Sequence, residues 1–357
     1  MNLSRLSLNL RFDKTTLLDP LLTFSRASSA TRINPQTGLL ELVAPDVPRL
    51  EKDGLLIEDA ATNMSGNIAS YDTSPGIAKQ QQDIAPDGVS PAWLFTGGSQ
   101  MAAWTAPTMT VGDVFVFSLF AKKATSRTIR ITCDGGSDCV FDFDAGALAG
   151  PGALRAQPLA NGWWRLSALG TATGIYAASG FYPSPDSAGA TLLWGAQIEF
   201  GKNPTSHIPT DGVATTRAAD LCCIDSIVGA PWLDRNQGTI VFEATAREGT
   251  TLNYPPLHIT DRTGDLWVNE ISVAIFWWGG WAVNVINAGA SNVRQYEGSQ
   301  KFRVALSWKN GQWRVCANGG DIDTFAAPFS KSGSAHGADG QRKPTPTSAP
   351  SPSSPTT

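Results

Sequence analysis

The chain has 357 residues, of which 42% are hydrophobic and only 16% are charged. Its 35 glycines, 23 prolines and 12 tryptophans are typical of short strands joined by many turns, and its length suits two β domains. A net charge of −4 gives no reason to expect nucleic acid, whose phosphates require a basic surface. No apolar run reaches the length of a membrane span, so we expect no membrane insertion.

The N-terminal stretch MNLSRLSLNLRFDKTT lacks a continuous apolar segment and a small-residue cleavage site, so it predicts no secretory signal peptide. The chain contains five cysteines, an odd number without the spacing of zinc ligands. Cys133 and Cys139 flank the turn DGGSD and could meet across a hairpin, but two reduced thiols are the favoured interpretation. We therefore expect folding in a reducing cytoplasm, with no disulfide framework and no structural metal.

Residues 1–62 consist of short extended pieces separated by turns. NPQTG at 34–38 is a turn, and PDVPR at 45–49 is an extended segment fixed by its prolines. The region contains few long apolar runs. It predicts an N-terminal arm that adheres to another part of an assembly and does not build a core of its own.

Residues 63–219 contain many short strand patterns separated by Gly, Pro, Ser and Asn clusters. Between Val114 and Phe120 the chain is apolar on both faces, as expected of a central strand. No helical stretch interrupts the series, and this spacing predicts a β-sandwich of jelly-roll type.

The stretch 192–220 closes this predicted domain. Leu192, Trp194, Ala196 and Ile198 are predicted to point one way, and Leu193, Gln197 and Glu199 the other, which predicts a half-buried strand with Trp194 on its core face. Glycines and prolines then interrupt the pattern from residue 201 onward. We call residues 201–220 the exit segment and expect a second unit to begin after it.

Residues 220–329 contain a second series of strand patterns, with KNGQ at 309–312 as a hairpin turn. From residue 330 to 357 the composition changes to Ser, Pro, Thr, Gly and Ala, which predicts a disordered tail. The second sandwich is therefore expected to lack its final strands. It is either a minimal variant or a truncation whose open edge something else must cover.

Several motifs occur in an order found in a known family. Phe24–Thr31 has the form F-x-R-A-S-x-A-T, Asp46–Arg49 is D-V-P-R, and Gly54–Asn63 is G-L-L-I-E-x-A-x-T-N. Further along the chain come N-G-W-x-R, L-W-G-A-Q-x-E, I-P-T and T-R-A-A-D, at positions 161–165, 193–199, 208–210 and 216–220. Over residues 22–220 the chain resembles bacteriophage tail-fibre and head-spike-fibre proteins that carry a jelly roll like a carbohydrate-binding module.

This resemblance implies an all-β chain in which a jelly roll is followed by an apparently incomplete concanavalin-like (laminin-G-like) sandwich. It also implies a virion fibre or spike protein that binds host-surface polysaccharide, with other virion proteins and copies of itself, as a homotrimer, among its partners. The alternative is a carbohydrate-active enzyme, such as a capsule depolymerase, or its glycan-binding subunit. The sequence shows no compact acid–base or nucleophile pattern, which favours the structural and adhesive function.

Two acidic patterns are candidates for catalysis or for metal binding. Asp142 and Asp144 are expected on one strand face, about 6–7 Å apart, which would suit a pair of glycosidase carboxylates. Their alternation with Phe141 and Phe143 is better explained by the solvent side of an amphipathic strand, so no catalytic residue is predicted. The turn DGGSD at 134–138 could hold Ca²⁺, but a solvated turn is favoured, and no cofactor or metal is predicted.

Aromatic side chains are the candidate glycan contacts, because indole and phenol rings stack on the C–H faces of sugars. In the strand that begins at Trp163, alternation places Trp164 with Leu166 on the core face, and Trp163 with Arg165 on the outer face. The predicted contacts are Trp104, Trp163, Arg165, Tyr182, Trp277 and Trp281. For Trp163 the competing interpretation, which we favour, is packing under the N-terminal arm or against a neighbouring subunit.

Overall fold

The structure is a computed structural model, and the residues that it describes are 8–12, 17–65, 77–97, 102–105, 109–134, 137–175, 178–185, 189–224, 234, 236–245, 257–260, 270–275, 281–287, 290–296, 301–326 and 334–337. The chain is all-β, as predicted, and every strand pairing described is antiparallel. Within these residues, no helix is long and apolar enough to cross a membrane.

The strands are numbered in chain order. Those of the N-terminal arm are β1 (Thr23–Ser25), β2 (Ala30–Ile33), β3 (Leu40–Val43), β4 (Arg49–Glu51), β5 (Gly54–Leu56) and β6 (Ala61–Asn63). Those of the jelly roll are β7 (Ala78–Ile84), β8 (Pro91–Thr96), β9 (Ala102–Thr105), β10 (Val114–Lys123), β11 (Thr128–Cys133), β12 (Ser137–Asp142), β13 (Ala147–Ala149), β14 (Ala153–Pro158), β15 (Trp163–Thr171), β16 (Ala178–Tyr182) and β17 (Ala190–Phe200). The remaining strands are β18 (Thr215–Arg217), β19 (Leu221–Ile224), β20 (Gln237–Thr245), β21 (Leu257–Thr260), β22 (Glu270–Ile275), β23 (Trp281–Asn287), β24 (Ala290–Tyr296), β25 (Lys301–Lys309), β26 (Gln312–Ala317), β27 (Ile322–Ala326) and β28 (Ser334–Gly337).

The jelly roll is a sandwich of two sheets. One has six strands in the order β14-β15-β10-β17-β8-β7, and the other has five in the order β13-β12-β11-β16-β9. Between them lies a dry core of fully buried side chains, which includes Phe95, Phe117, Ile131, Phe141 and Phe181. Burial of this apolar area is the main force that holds the two sheets together.

The six-stranded sheet is buried on both of its faces. Its central strand, β10, has apolar side chains in both directions, and residues from Phe115 to Ala121 are all buried. On the face away from the dry core, a second apolar cluster contains Trp163, Phe120, Leu192 and Leu40. Because Leu40 belongs to the arm, the arm covers this face. The prediction that this stretch forms a central strand is confirmed.

The strand β17 changes face at Gly195, which corrects the predicted alternation. Between Ser118 and Phe120 the register to β17 shifts by one residue, as in a β-bulge. Gly195 has φ of 56°, and a Cβ atom there would lie 3.0 Å from Phe120. Trp194 therefore packs on the arm side, whereas Ile198 points into the dry core.

The arm packs on its own chain. Its hairpin β2–β3 covers part of the six-stranded sheet, β6 pairs with β18, and β1 pairs with β19. An arm held in this way does not require a neighbouring subunit to cover it.

The strands that follow the exit segment form two further sheets. One has four strands in the order β20-β25-β26-β27, with Val304, Leu306 and Trp313 among the buried side chains of its central strands. The other has seven strands in the order β1-β19-β28-β21-β22-β23-β24. The arm therefore contributes an edge strand to the second region.

The predicted disorder from residue 330 onward is wrong for residues 334–337, which form β28 between β19 and β21. The composition of Ser334–Gly337 gave no sign of this strand. Main-chain hydrogen bonds on both sides hold it, and such bonds do not depend on large apolar side chains. The rest of the predicted tail lies outside the described residues.

Candidate functional site

Two predicted sugar contacts, Trp163 and Arg165, are buried and therefore unavailable to a glycan. Alternation on β15 is as predicted, with Trp164 beside Phe141 of the dry core and Trp163 on the opposite face. That opposite face is covered, however, so Trp163 is only 1% exposed and Arg165 only 9%. The indole Nε1 of Trp163 donates a hydrogen bond to the Ile84 carbonyl at 3.2 Å. The sugar-contact interpretation of these two residues is therefore wrong, and the favoured interpretation, packing of Trp163 under the N-terminal arm, is confirmed.

Polar side chains on the same face bind the exit segment. Glu199 accepts two hydrogen bonds from Thr205, from its main-chain N–H and its hydroxyl, both at 2.7 Å. The Oε1 atom of Gln197 accepts from the Ile208 N–H at 2.7 Å, and Arg165 Nη1 donates to the Thr205 carbonyl at 2.6 Å. The segment 205–208 therefore lies across a polar stripe of the sheet, and side chains satisfy its main-chain groups.

Five charged side chains form a buried cluster where the arm meets the exit segment. We call it the charge node, and its members are Arg26, Arg49, Glu58, Arg217 and Asp220. Asp220 binds two guanidinium groups, since Arg26 donates to its Oδ1 atom at 3.0 Å and Arg49 donates to its Oδ2 atom. The side chains of Arg26, Arg49 and Asp220 have no solvent exposure. The carboxylate of Asp220 thereby joins the exit segment to Arg26 and Arg49 of the arm.

Glu58 is the second acceptor of the node. Its carboxylate lies 2.7 Å from Arg49 Nη1 and 3.5 Å from Arg217 Nη2, and it accepts a 2.7 Å hydrogen bond from the hydroxyl of Ser206. The main-chain N–H of Glu58 also donates to Asp220 at 2.9 Å. The two carboxylates therefore share partners, so the loss of either one leaves buried positive charge without compensation.

The pKa values within the node reflect its burial. For Arg49, burial alone would lower the pKa, but the charges of Glu58 and Asp220 outweigh it and raise the pKa. Burial lowers the pKa of Arg217 and raises that of the neighbouring Asp59 carboxyl. The node holds its guanidinium groups charged in a site without water exposure, where each ion pair depends on its geometry.

His207 lies beside the node in a fully enclosed position. Its ring centroid is 4.8 Å from that of Trp194 and 5.4 Å from that of Phe120, and its carbonyl accepts a 2.5 Å hydrogen bond from Thr31 of the arm. Burial, assisted by the charge of Arg165, lowers the pKa of His207 to about 3. The imidazole is therefore neutral at ordinary pH and cannot serve as a proton shuttle there.

A cavity next to His207 is too small for a sugar. Its volume is about 20 Å³, and Thr31, Phe120, Arg165, Ser206 and His207 are among its lining residues. Such a space holds about one water molecule. The Nδ1 atom of His207 has no hydrogen-bond partner among the described residues, so a single water is the occupant that fits.

The charged and amide residues of the recognised motifs converge on this region. Each motif contributes at least one buried contact of the arm, sheet or exit segment, and the contributors are Arg26, Arg49, Glu58, Asn63, Arg165, Gln197, Glu199, Ile208, Arg217 and Asp220. Asn63 alone makes hydrogen bonds to the carbonyls of Ala196 and Ile208 and to the N–H groups of Ser65 and Ile198. From the sequence, these residues are identified only as parts of separate motifs, and their mutual contact is not predicted. The available signal was that most of these separate motifs contain a charged or amide residue.

The predicted acidic pair is not arranged for catalysis. Asp142 ends β12 and Asp144 lies in the following turn, where its main-chain N–H donates to Asp142 at 2.9 Å. Arg127 binds Asp142 at 2.8 Å, and Lys123 binds Asp144 at 2.5 Å. The hydrogen bond from Arg127 is the main cause that lowers the pKa of Asp142. A general acid of a glycosidase needs the opposite shift.

Tyr182 lies on the outer face of the five-stranded sheet and is half-buried. The guanidinium carbon of Arg130, on the neighbouring strand β11, lies 3.6 Å from the centroid of its ring. One face of the ring is therefore covered by Arg130. The Nη1 atom of Arg130 lies 3.7 Å from the carboxylate of Asp138, which is beyond hydrogen-bond distance.

The other predicted glycan contacts do not form one site with Tyr182. Trp104 lies in β9, opposite Ser179 of β16, and Trp281 begins β23 of a different sheet. The side chains of Trp104 and Trp281, and the whole of Trp277, lie outside the described residues. Trp163 and Arg165 are on the arm side of the six-stranded sheet.

The turn proposed as an alternative Ca²⁺ site has other partners for one of its carboxylates. Asp134 accepts hydrogen bonds from the N–H and the hydroxyl of Thr173, at 2.8 and 2.6 Å. Gly135 and Gly136 lie outside the described residues. Among the residues that are described, no group of three His, Cys, Asp or Glu side chains is placed to hold a metal ion.

Comparison with known proteins gives no family assignment. No family model matches the chain, and no curated protein matches it. Among the solved structures that are similar to the chain, two have 11% sequence identity with it. The tandem CBM22 domains of Xyn10C from Paenibacillus barcinonensis align with 79% of this chain and 90% of their own, at a TM-score of 0.26. Domains LG4-5 of the mouse laminin α1 chain align with 79% of this chain and 81% of their own, at a TM-score of 0.23. At these scores the all-β fold rests on the strand pairing of the chain itself.

Proposed function

We propose that the chain is a structural protein of a phage or phage-derived fibre or spike, and that it binds host-surface glycan during attachment. The observation that carries the structural part is the charge node. Four of the motifs that the chain has in common with fibre and spike proteins contribute charged residues to this buried junction, where they join the arm to the exit segment. Charged residues that are buried at such a junction hold the two segments in one arrangement, which is a structural role.

The chemistry of the described residues supports this function better than it supports an enzyme. The buried histidine has its pKa lowered to about 3, and the surface pair Asp142 and Asp144 is neutralised by Arg127 and Lys123. Glu199 has its pKa raised by burial, but both of its oxygens are occupied by Thr205. None of these groups is free to act on a substrate.

The location in a virion is tested by labelling intact particles. Gold-conjugated antibody to this chain should mark fibres or spikes in negative-stain electron micrographs of purified particles. An antibody to a cytoplasmic enzyme of the host is the control for adhering debris. Particles that contain the chain in no fraction after density-gradient purification would contradict a virion role.

Glycan binding is tested with the full chain and host bacteria. We expect the purified chain to remain on cells that carry surface polysaccharide and to be lost from a matched strain that lacks it. Equal retention on both strains would contradict glycan binding while leaving the virion role intact.

Self-association, with a homotrimer as the expected form, belongs to the same proposal. It now rests on the resemblance, since the arm packs on its own chain. Light scattering of the full chain at micromolar concentration should give a multiple of the 37.8 kDa subunit mass. A stable monomer would contradict the trimer.

A further inference from the structure

We propose that Arg130, Asp138 and Tyr182 form a binding site for an uncharged hexopyranose unit on the outer face of the five-stranded sheet. The proposal rests on the glycan-binding function proposed above and gives that function a location and a ligand class. It replaces Trp163 and Arg165, which are buried, with residues that solvent reaches.

The three residues lie together because of strand register. Arg130 of β11 is directly opposite Tyr182 of β16, and Asp138 of β12 is opposite Thr132, two positions further along β11. Residues that are paired across strands, or two positions apart, have their side chains on the same face. The side chains of Arg130 and Asp138 are 31% and 50% exposed, so the group opens to solvent.

Arg130 is held in place and yet retains its hydrogen-bonding capacity. The ring of Tyr182 supports the guanidinium plane at 3.6 Å, a cation–π contact that limits its rotation. Among the described residues Arg130 makes no side-chain hydrogen bond, and its Nε atom is buried without a partner. A planar group with fixed orientation and unused donors is pre-organised for a ligand with adjacent acceptors.

The carboxylate of Asp138 determines which class of ligand can bind beside Arg130. Its carboxylate, 3.7 Å from Arg130, supplies acceptors beside the donors, so one hydroxyl can accept from Arg130 while its neighbour donates to Asp138. Adjacent hydroxyls of a neutral pyranose offer this combination. A sugar carboxylate in the same position would approach the carboxylate of Asp138, and like charges would repel it.

The surrounding ion pairs supply a control. Arg127, three positions from Arg130, is also a guanidinium on this sheet, but its donors are committed to Asp142 at 3.1 and 2.8 Å. An Arg-to-Lys change at either position keeps the charge and removes the planar fork. Only the change at position 130 removes the guanidinium group that stacks on Tyr182 beside Asp138.

The test measures binding of the full chain to immobilised polysaccharides by biolayer interferometry. The neutral probes are dextran, mannan and galactan, and the acidic probes are alginate and hyaluronan. We expect binding to at least one neutral probe and to neither acidic one. Arg130→Lys should weaken that binding by about ten-fold or more, because charge-assisted hydrogen bonds are lost. Arg127→Lys should leave it unchanged.

Tyr182 is tested as the residue that positions Arg130. Tyr182→Phe keeps the ring and should bind like the original chain, whereas Tyr182→Leu should lose affinity. Circular dichroism and thermal unfolding of each variant verify that the sandwich remains folded.

Three outcomes would overturn the proposal: no binding to any neutral probe, binding only to the acidic probes, or unchanged binding by Arg130→Lys. Retention on host cells separates this failure from failure of the general function. If the chain is retained through surface polysaccharide and Arg130→Lys has no effect, glycan binding stands and its location is elsewhere. If the original chain is not retained, glycan binding itself fails.

Discussion

The two faces of the six-stranded sheet are both buried but are covered in different ways. One face packs on the second sheet mainly through apolar side chains such as Phe95, Phe117 and Phe141. The other is covered by the arm and the exit segment, through an apolar half around Trp163 and a polar half around Arg165 and Glu199. Hydrophobic burial is non-directional, whereas ion pairs and hydrogen bonds require particular geometry. The second face therefore fixes where the arm lies.

The largest effect should come from removing the shared carboxylate of the node. Asp220→Ala leaves Arg26 and Arg49 buried with only Glu58 to compensate, and we expect the free energy of unfolding to fall by about 3–5 kcal/mol. Chemical denaturation followed by tryptophan fluorescence measures it. The matched control is Glu243→Ala, which removes an exposed partner of Arg303 and Lys301 and should cost at most about 1 kcal/mol. Equal losses in the two variants would contradict a special role for burial.

A loss of similar order is expected when Trp163 is truncated. If the arm-covered face is a true core, Trp163→Ala should cost about 3–5 kcal/mol, as should Phe117→Ala on the dry face. Only the Trp163 variant should also make the arm susceptible to limited proteolysis, since its ring shares a cluster with Leu40. A stable Trp163→Ala protein with reduced glycan binding would restore Trp163 as a sugar contact.

The sequence predicted the direction of side chains better than their surroundings. Alternation placed Trp163 and Trp164 on opposite faces correctly, because the period of a strand is a local property. Cover by the arm was the favoured interpretation for Trp163, but its contact with Leu40, which is distant in sequence, leaves no local pattern that identifies the residue. The sequence contains a sign of the face change at Gly195, because a glycine inside a strand pattern often marks a bulge.

The charge node could not be predicted from the sequence, for a related reason. Arginine and carboxylate side chains are rarely buried unless paired, so each member taken alone indicates the surface. Burial of Arg26 becomes favourable only when Asp220 is beside it. The two residues are separated in the sequence by the whole of the jelly roll, so no local pattern predicts that they pair. Arg165 was placed among the glycan candidates for the same reason, because its exposure was inferred from one strand without the segments that cover it.

Between pH 6 and pH 5, the loss of stability caused by His207 should be smaller than the mutational effects. The pKa of His207 falls from its usual 6.5 to about 3 in the folded chain, so the unfolded chain binds a proton in this interval that the folded chain does not. Stability from this group is fully present above pH 6.5 and is lost as the pH falls toward 3. The loss is about 1.4 kcal/mol for each pH unit within that window.

His207→Gln tests this assignment. The variant should be less stable at neutral pH, since the packing with Phe120 and Trp194 is lost. Its stability should change less steeply between pH 6 and pH 5 than that of the original chain. Denaturant midpoints measured across this range compare the two slopes. Parallel slopes would assign the acid sensitivity to other groups.

The smallest effect is expected at the exposed pair Asp142 and Asp144, which contrasts with the buried carboxylates of the node. Both are bound by side chains at the surface, Arg127 and Lys123, and water can replace these partners. Asp142 also accepts from the N–H groups of Asp144 and Ala145, so its place is in a turn. With its pKa lowered chiefly by Arg127, it stays ionised and has no proton to give to a leaving group at neutral pH. Replacing both residues by Asn should leave any polysaccharide-clearing activity of the particle unchanged, as measured by turbidity of a capsule suspension. Loss of clearing in a variant that keeps its circular dichroism spectrum would instead support a depolymerase, with these two carboxylates in its active site.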